Sequence, residues 1–290
     1  MAINLAAKFE PKVSNILKQG RKTKDITNQN WDWDGVNAIN VYTLTDVTMG
    51  NYDPTAASNR YGTPSEVQDT VQNWALSRDR SWTKVMDKKN IQDTGSVRKP
   101  GAYLAQQTKN IFIPEMDTYI LSTIQAAAVA GNRSTTPTTA GAFSAATGVT
   151  SGVTTSSNAY TNLLAMNANV TDSEAPEAGR IALMTAQYYN LLKQSGFIVN
   201  SDIAMTTRQS GDLGEVDGLK VVIVTTLRMP TNVDLVIAHP NATVAPEKLI
   251  DYTLHENAPG YSGSLLEYRH RYDAFVDSNL VKEIATHMTA

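Results

Sequence analysis

The residues best suited to chemistry are four histidines, His239, His255, His270 and His287, and no two of them stand at metal-ligand spacing. His270 alternates with Tyr268 and Tyr272, which reads as a packed histidine rather than a base. Ser81-Trp82-Thr83-Lys84 has the spacing of a serine–lysine acyl enzyme, in which the amine would take the hydroxyl proton. Its companion motifs are missing, and it follows an extended run. Gly260-Tyr261-Ser262-Gly263-Ser264 resembles a nucleophile elbow but carries serine where the last glycine belongs. Gly211-Asp212-Leu213-Gly214-Glu215 lacks the lysine of a phosphate loop and the alternate acids of a calcium loop. Asp32 and Asp34, flanked by Trp31 and Trp33, are two carboxylates and too few for a metal. With no cysteine, disulfides, thiolate metal sites, cysteine nucleophiles and iron–sulfur clusters are excluded. No catalytic constellation survives, and no cofactor is expected.

The elements that would position such groups are unusual in composition. The 290 residues suffice for one large domain or two ordinary ones. Charged residues make up only 18% and hydrophobic ones 41%, and the difference is uncharged polar side chains, among them 33 threonines. The net charge of −3 excludes a wholesale basic nucleic-acid binder. Its distribution is uneven. Residues 1–24 carry Lys8, Lys12, Lys18, Arg21, Lys22 and Lys24 against Glu10 alone, a basic arm on an acidic body. The plainer reading of that arm, an amphipathic helix with Ile3, Leu5, Phe9, Val13, Ile16 and Leu17 on one side, is compatible with it. The longest apolar run, near 119–130, is too short to span a bilayer, and no basic-then-apolar leader opens the chain. The expectation is a soluble intracellular product, in which the sequons at Asn132, Asn169 and Asn241 carry no meaning.

Along the chain, period 2 places Trp31 and Trp33 on one strand face, and Asp34-Gly35 marks a turn. Strand-like residues at 36–48 and 66–77 flank a tip rich in Gly, Asn, Pro and Ser. This is a long hairpin with too few apolar residues for its own core, so it must rest on another surface. Residues 101–130 read as helix interrupted at Pro114, either one kinked helix or two abutting ones. Of the 28 residues at 131–158, 18 are Gly, Ser, Thr or Pro, a flexible surface insertion by composition. Strands and helices then alternate, with strands at 180–185, 219–226 and 235–239 and a helix at 186–194. The longest strand signal is 264–277. One of its faces carries Glu267, Arg269, Arg271 and Asp273, a polar contact surface or a charge-guarded edge.

The order of these parts resembles that of tailed-bacteriophage major capsid proteins of the Hong Kong 97-type fold. Leu76-Ser77-Arg78-Asp79-Arg80-Ser81-Trp82, with Asp87 and Asp93-Thr94 behind it, is similar to the family's return from the extended loop to the body. Ile113-Pro114-Glu115-Met116-Asp117 resembles the start of the main spine-helix segment. The run from Gly214 to Val222 resembles the strand pair of the axial domain, and 235–239 with Asn241-Ala242 a later strand of it. Tyr272-Asp273-Ala274-Phe275-Val276 resembles the strand near the terminus, followed by a last helix or strand at 280–287.

The resemblance implies an α+β fold with an N-terminal arm (1–35), an extended β-hairpin loop (36–76), a peripheral domain (77–157 and 246–276) holding a long spine helix (101–130), and an axial domain (158–245 and 277–290). It implies a structural, non-enzymatic subunit that assembles into hexamers and pentamers of an icosahedral head shell in the host bacterial cytoplasm and ends in the virion. A scaffolding protein, a portal and non-specifically bound double-stranded DNA are the implied partners, with a decoration protein as a further candidate and no membrane. Tyr42, Tyr52, Arg60, Tyr61 and Trp74 of the loop are the implied intersubunit contacts. Lys18, Arg21, Lys22 and Lys24 are implied to lie on the inner surface, and Glu267, Arg269, Arg271 and Asp273 to form contacts on a strand face. Some relatives crosslink a loop lysine to a neighbour's asparagine, but residues 41–76 contain no lysine. Within the same fold the alternative is a nanocompartment shell, similar to encapsulins, around an enzyme cargo.

Overall fold

The computed structural model describes residues 18–28, 31, 37–44, 46–93, 100–128, 143–144, 148–149, 154–195, 214–256 and 259–288. The expectations for the stretch before Lys18, for Trp33 with its flanking aspartates, for most of the 131–153 insertion and for 211–213 fall outside these residues. The chain divides into two compact units, residues 32–77 and the remainder.

In the smaller unit, β1 (Ala38–Leu44) pairs antiparallel with β2 (Asp69–Ala75), from Ala38 opposite Ala75 to Leu44 opposite Asp69. The paired strands are shorter than their sequence signal. Beyond Leu44 the chain closes on itself instead. The Asp53 amide donates to the Arg60 carbonyl at 3.1 Å, and Asp53 Oδ1 accepts from both the amide and the hydroxyl of Thr55. Arg60 Nε donates to the Ala56 carbonyl. Asn59 takes a left-handed φ of 53°, which asparagine tolerates, and the Gly62 amide then reaches its carbonyl at 2.8 Å. The Tyr52 and Tyr61 rings meet edge to face, 4.9 Å between centroids. The tip is thus an ordered knob made by short-range polar bonds.

The larger unit begins with β3 (Asp79–Asp87), α1 (Lys88–Asp93) and α2 (Pro100–Gln107). A π-helical turn at Thr108–Phe112 joins α2 to α3 (Ile113–Ala127), so residues 100–127 are one continuous helical run. Pro114 does not break it, because proline is tolerated in the first turn of α3. Lacking an N–H, Pro114 cannot serve the carbonyl four residues back. That carbonyl belongs to Asn110, and Lys18 Nζ donates to it at 2.7 Å. Short strands β4 (Phe143–Ser144) and β5 (Gly148–Val149) pair with each other. Then follow α4 (Ala159–Asp172), β6 (Ile181–Thr185), α5 (Ala186–Lys193), β7 (Glu215–Val216), β8 (Leu219–Val224), β9 (Val233–Ala238), β10 (Thr243–Val244), β11 (Glu247–His255), β12 (Gly263–Tyr272), β13 (Phe275–Val276) and β14 (Ile284–Met288).

Five strands form one sheet in the order β14-β9-β6-β8-β7, with β6 parallel to β8 and antiparallel to β9. Its central strands β6 and β9 are buried along their whole length because both faces are covered. Alternation sorts their side chains. Ile181, Leu183, Val236, Ala238 and Ile284 join the core around Met116, Ile120 and Ile124 of α3. Ala182, Met184, Leu235, Ile237 and Ala285 pack with Leu163 and Met166 of α4 and Tyr188 and Leu192 of α5. Helix α4 has no sequence signal comparable to α3, since Asn162, Asn167 and Asn169 dilute its apolar stripe. Arg180 secures its end: the buried guanidinium donates to the carbonyls of Asn167, Ala175 and Pro176 and to Thr171 Oγ1, where helix-end carbonyls need donors.

The second sheet, β11-β12-β3, carries the alternation expected at 264–277, but the strand ends sooner. β12 stops at Tyr272, and β13 pairs with β10 instead. The cause is Asp273. Its carboxylate turns inward to accept the Tyr119 hydroxyl at 2.6 Å and the Ala274 amide, while its own amide donates to the Pro246 carbonyl. Asp273 is buried and does not belong to the charged face.

Candidate assembly surfaces

The chemical candidates do not converge. On β3, Ser81 and Lys84 are three residues apart and therefore on opposite faces, so the amine cannot serve the hydroxyl. Gly263, in the elbow-like motif, has a packing reason: a Cβ there would lie 2.0 Å from the Met86 carbonyl oxygen across the β12–β3 pair. Each histidine sits beside a single carboxylate: His239 by Glu283, His255 by Glu267, His270 by Glu247, His287 by Asp234. Among the described residues, no group of three or more His, Asp or Glu could hold a metal ion. The most enzyme-like pair is buried. His287 Nδ1 is 2.7 Å from Asp234 Oδ1, with Asn162 Nδ2 3.3 Å from Nε2 and Thr154 Oγ1 donating to the other Asp234 oxygen. The Asp234 carboxylate and the Asn162 amide occupy the two ring nitrogens, and the pair ties β14, β9 and α4 together.

What the molecule offers outward is surface for association. On the hairpin, Tyr42, Leu44, Val47, Val67 and Val71 are exposed, Tyr61 is 93% exposed and Met49 fully so. Two of the five loop positions keep their aromatic rings in the self-closed knob, Tyr52 and Tyr61, and Arg60 helps close it. Trp74 differs. It lies opposite Ile39 in the paired part of the hairpin, only 5% exposed, and is a core residue of its own chain rather than an outward contact.

The basic arm residues divide similarly. Arg228, on the loop after β8, donates to Asp117 Oδ2 of α3 at 2.7 Å and to the carbonyls of Gly20 and Gln19 at 2.6 Å. Asp117 in turn accepts from the amides of Lys22 and Thr23 and from the Thr23 hydroxyl. The Asn28 amide donates to the Thr243 carbonyl, so 18–28 run as a strap across the unit. Within it, Lys18 is taken by Asn110 and Arg21 pairs with Glu247. Lys24 is exposed and Lys22 half-buried.

On the outer face of the second sheet, the charges pair within the chain. Arg269 holds Asp79 through three contacts of 2.6–3.1 Å, which keeps that carboxyl below its ordinary range, and Glu267 lies 3.2 Å from His255. Thr83, Thr253, Ser81 and Asp251 complete a polar surface with Glu267 and Arg269. On the opposite face, Trp82, Tyr268, His270, Tyr272 and Phe112 form a continuous aromatic stack against the helical run.

Where the chain leaves β12, two family-like motifs meet. Arg78 donates to Glu115 Oε1 at 2.8 Å and to the Tyr272 hydroxyl at 2.9 Å, and its guanidinium lies 4.2 Å from the Tyr119 ring centre. Arg80 reaches the same Glu115 oxygen at 2.7 Å. Burial raises the Glu115 pKa, but the hydrogen bonds from Arg78 and Arg80 outweigh it and hold the carboxyl below its ordinary value. Burial, with the carboxylate of Asp273, pushes Tyr119 up to about 12. The motifs at 76–82 and 113–117 stand together in sequence order only; this cluster is why their residue types belong together.

No family model matches the sequence, and no curated protein matches it. Solved structures do. A chain from Mycobacterium phage Che8 superposes with a TM-score of 0.77 at 14% identity, over 99% of this chain and 98% of that one. The mature capsid of bacteriophage PhiM1 gives 0.73 at 16% identity over 99% and 92%, and the capsid of cyanophage P-SCSP1u gives 0.74 at 14% over 99% and 93%. The chain therefore has the α+β Hong Kong 97-type capsid fold along its whole length.

Proposed function

We propose that this chain is the major capsid protein of a tailed bacteriophage, a structural subunit that assembles with copies of itself into a closed icosahedral shell. The observation that carries this reading is the likeness to capsid structures over nearly the full length of both chains. A physical feature supports it: the hairpin exposes apolar residues along its length and ends in a preformed knob. A knob already ordered loses little conformational freedom on docking, and many such contacts per subunit add through multivalency. Tyr42, Tyr52, Arg60 and Tyr61 are the loop contacts in this reading, Lys22 and Lys24 the inner-surface charges, and Glu267, Arg269 and Arg271 the sheet-face contacts. The peripheral domain is the three-stranded sheet with the helical run, and the axial domain the five-stranded sheet with α4 and α5. Scaffold, portal and packaged double-stranded DNA are the further partners. Neighbouring structures include the capsid of a native gene transfer agent particle, which favours this reading over the nanocompartment shell. Electron microscopy of the purified protein tests the proposal: uniform hollow shells are expected, and a chain that stays monomeric at high concentration with and without its scaffold would overturn it.

A further inference from the structure

Glu247, the first residue of β11, has one basic side chain beside each of its two oxygens. Arg21 of the strap pairs with Oε1, and His270 Nε2 lies 3.5 Å from Oε2, too far for a good hydrogen bond. His270 is almost wholly buried, stacked on Phe112 at 4.2 Å, and its Nε2 has no hydrogen-bond partner among the described residues. Its Nδ1 lies 3.1 Å from the Tyr268 hydroxyl. A doubly protonated ring would find an acceptor at each nitrogen, Tyr268 oxygen and Glu247 carboxylate, whereas the neutral ring leaves one side unused.

We propose that His270, Glu247 and Arg21 form an acid-operated latch on the strap: protonating His270 draws Glu247 away from Arg21 and loosens residues 18–23. The reason lies in which cation can leave. Two positive charges cannot both be well compensated by one carboxylate, and His270 is sealed inside, while Arg21 keeps access to water. The other groups around His270 do not alter this. From β12 come Tyr268 and Tyr272. Arg80, opposite in register on β3, is engaged with Glu115, and Ile250 opposite on β11 is uncharged. From the helical run comes Phe112, which carries no charge. Burial, opposed by Glu247 and assisted by Arg21, lowers the His270 pKa from its ordinary 6.5, so the neutral form stabilises the fold above about 6.5 and that stabilisation fades as pH falls below it.

Hydrogen exchange of the full chain at about pH 7.5 and about pH 5.5, corrected for intrinsic rates, reads the strap directly at the Lys22, Thr23 and Ile26 amides. Exchange in the 18–28 peptide is expected to quicken about tenfold at the lower pH, the scale of one pKa unit. His270→Phe, which keeps the stack on Phe112 but cannot titrate, is expected to remove that pH dependence. Glu247→Gln is expected to exchange quickly at both values. Protection that does not change with pH in the parent chain, or the same acid loss in His270→Phe, overturns the latch. Should His270→Phe fail to fold, Glu247→Gln decides alone: an undiminished acid loss in it has the same force.

Discussion

The Arg228 guanidinium and the Asp117 carboxylate meet at 2.7 Å in the interior, with side chains 4% and 0% exposed. Together they bind four backbone groups of the strap, so a pair from a loop and a helix fixes a third segment. Breaking one partner leaves the other charge buried without compensation, which costs about 3–5 kcal/mol. Arg228→Met and Asp117→Asn should each lower the unfolding free energy from denaturant titration by that scale, with a lower midpoint. Arg228→Met combined with Asp117→Leu should recover part of the loss while the strap still becomes protease-sensitive near Gly20, because its carbonyls have lost their donor. A wild-type midpoint in either single variant would contradict the role given to the pair.

Tyr119 donates to Asp273 at 2.6 Å at the point where β12 ends. Removing the hydroxyl takes one hydrogen bond from a buried carboxylate oxygen that keeps the Ala274 amide, for about 1 kcal/mol. Tyr119→Phe should therefore destabilise the chain on that scale, and Tyr119→Phe with Asp273→Asn by less than the sum. Ultraviolet titration should place this phenol near 12, above the ordinary 10.0 of a tyrosine.

Acid should weaken the Arg78–Glu115–Arg80 cluster in a defined window. Glu115 titrates lower in the folded chain than its ordinary 4.5, so its contribution is fully present above 4.5 and is lost as pH falls through the lowered value. Glu115→Gln should flatten stability against pH below about 4.5. An unchanged acid limb in urea titrations would assign that limb elsewhere.

The basic strap residues should separate by role. Lys18→Glu with Arg21→Glu removes the donor to Asn110 and the partner of Glu247, and should lower the melting temperature. Lys22→Glu with Lys24→Glu should leave the melting temperature unchanged and reduce the yield of filled particles. Normal filling in the second variant would remove these lysines from the inner-surface assignment.

Deleting residues 47–63 should leave a folded chain that forms no closed shells, since the hairpin is a compact unit of its own. Tyr61→Ala should act more mildly, slowing assembly measured by light scattering while circular dichroism stays unchanged. Wild-type particles from the deletion would refute the hairpin's role.

Much of the architecture was legible because its causes are local. The mostly apolar runs at 180–185, 219–226 and 235–239 announce strands, and the structure has them at 181–185, 219–224 and 233–238. The 3.6-residue pattern through Met116, Ile120 and Ile124 announces α3, and the alternation at 264–272 announces β12. Helix α4 and strand β11 were hidden for the opposite reason: Asn-rich and half-exposed stretches carry little periodicity, and only packing by Tyr188 and pairing with β12 decide them. The surface assignments depended most on what cannot be read locally. Trp74 and Asp273 have the residue types and spacing of outward contacts, yet both are buried, Asp273 by Tyr119 and Pro246 far along the chain.

By itself, then, the order of residues determined the absence of thiol chemistry, the scatter of the histidines, the apolar strands, the long helical run and a hairpin too polar to make its own core. Only the tertiary structure decided which charges face outward. Arg228 finds Asp117 across 111 residues, and Arg21 finds Glu247 across 226. Such pairs are made by the fold bringing distant segments together, and no local pattern selects one carboxylate over another. The four histidines that opened the search for chemistry end as partners of single carboxylates, three of them bracing the fold or its surface and one, His270, placed to sense protons.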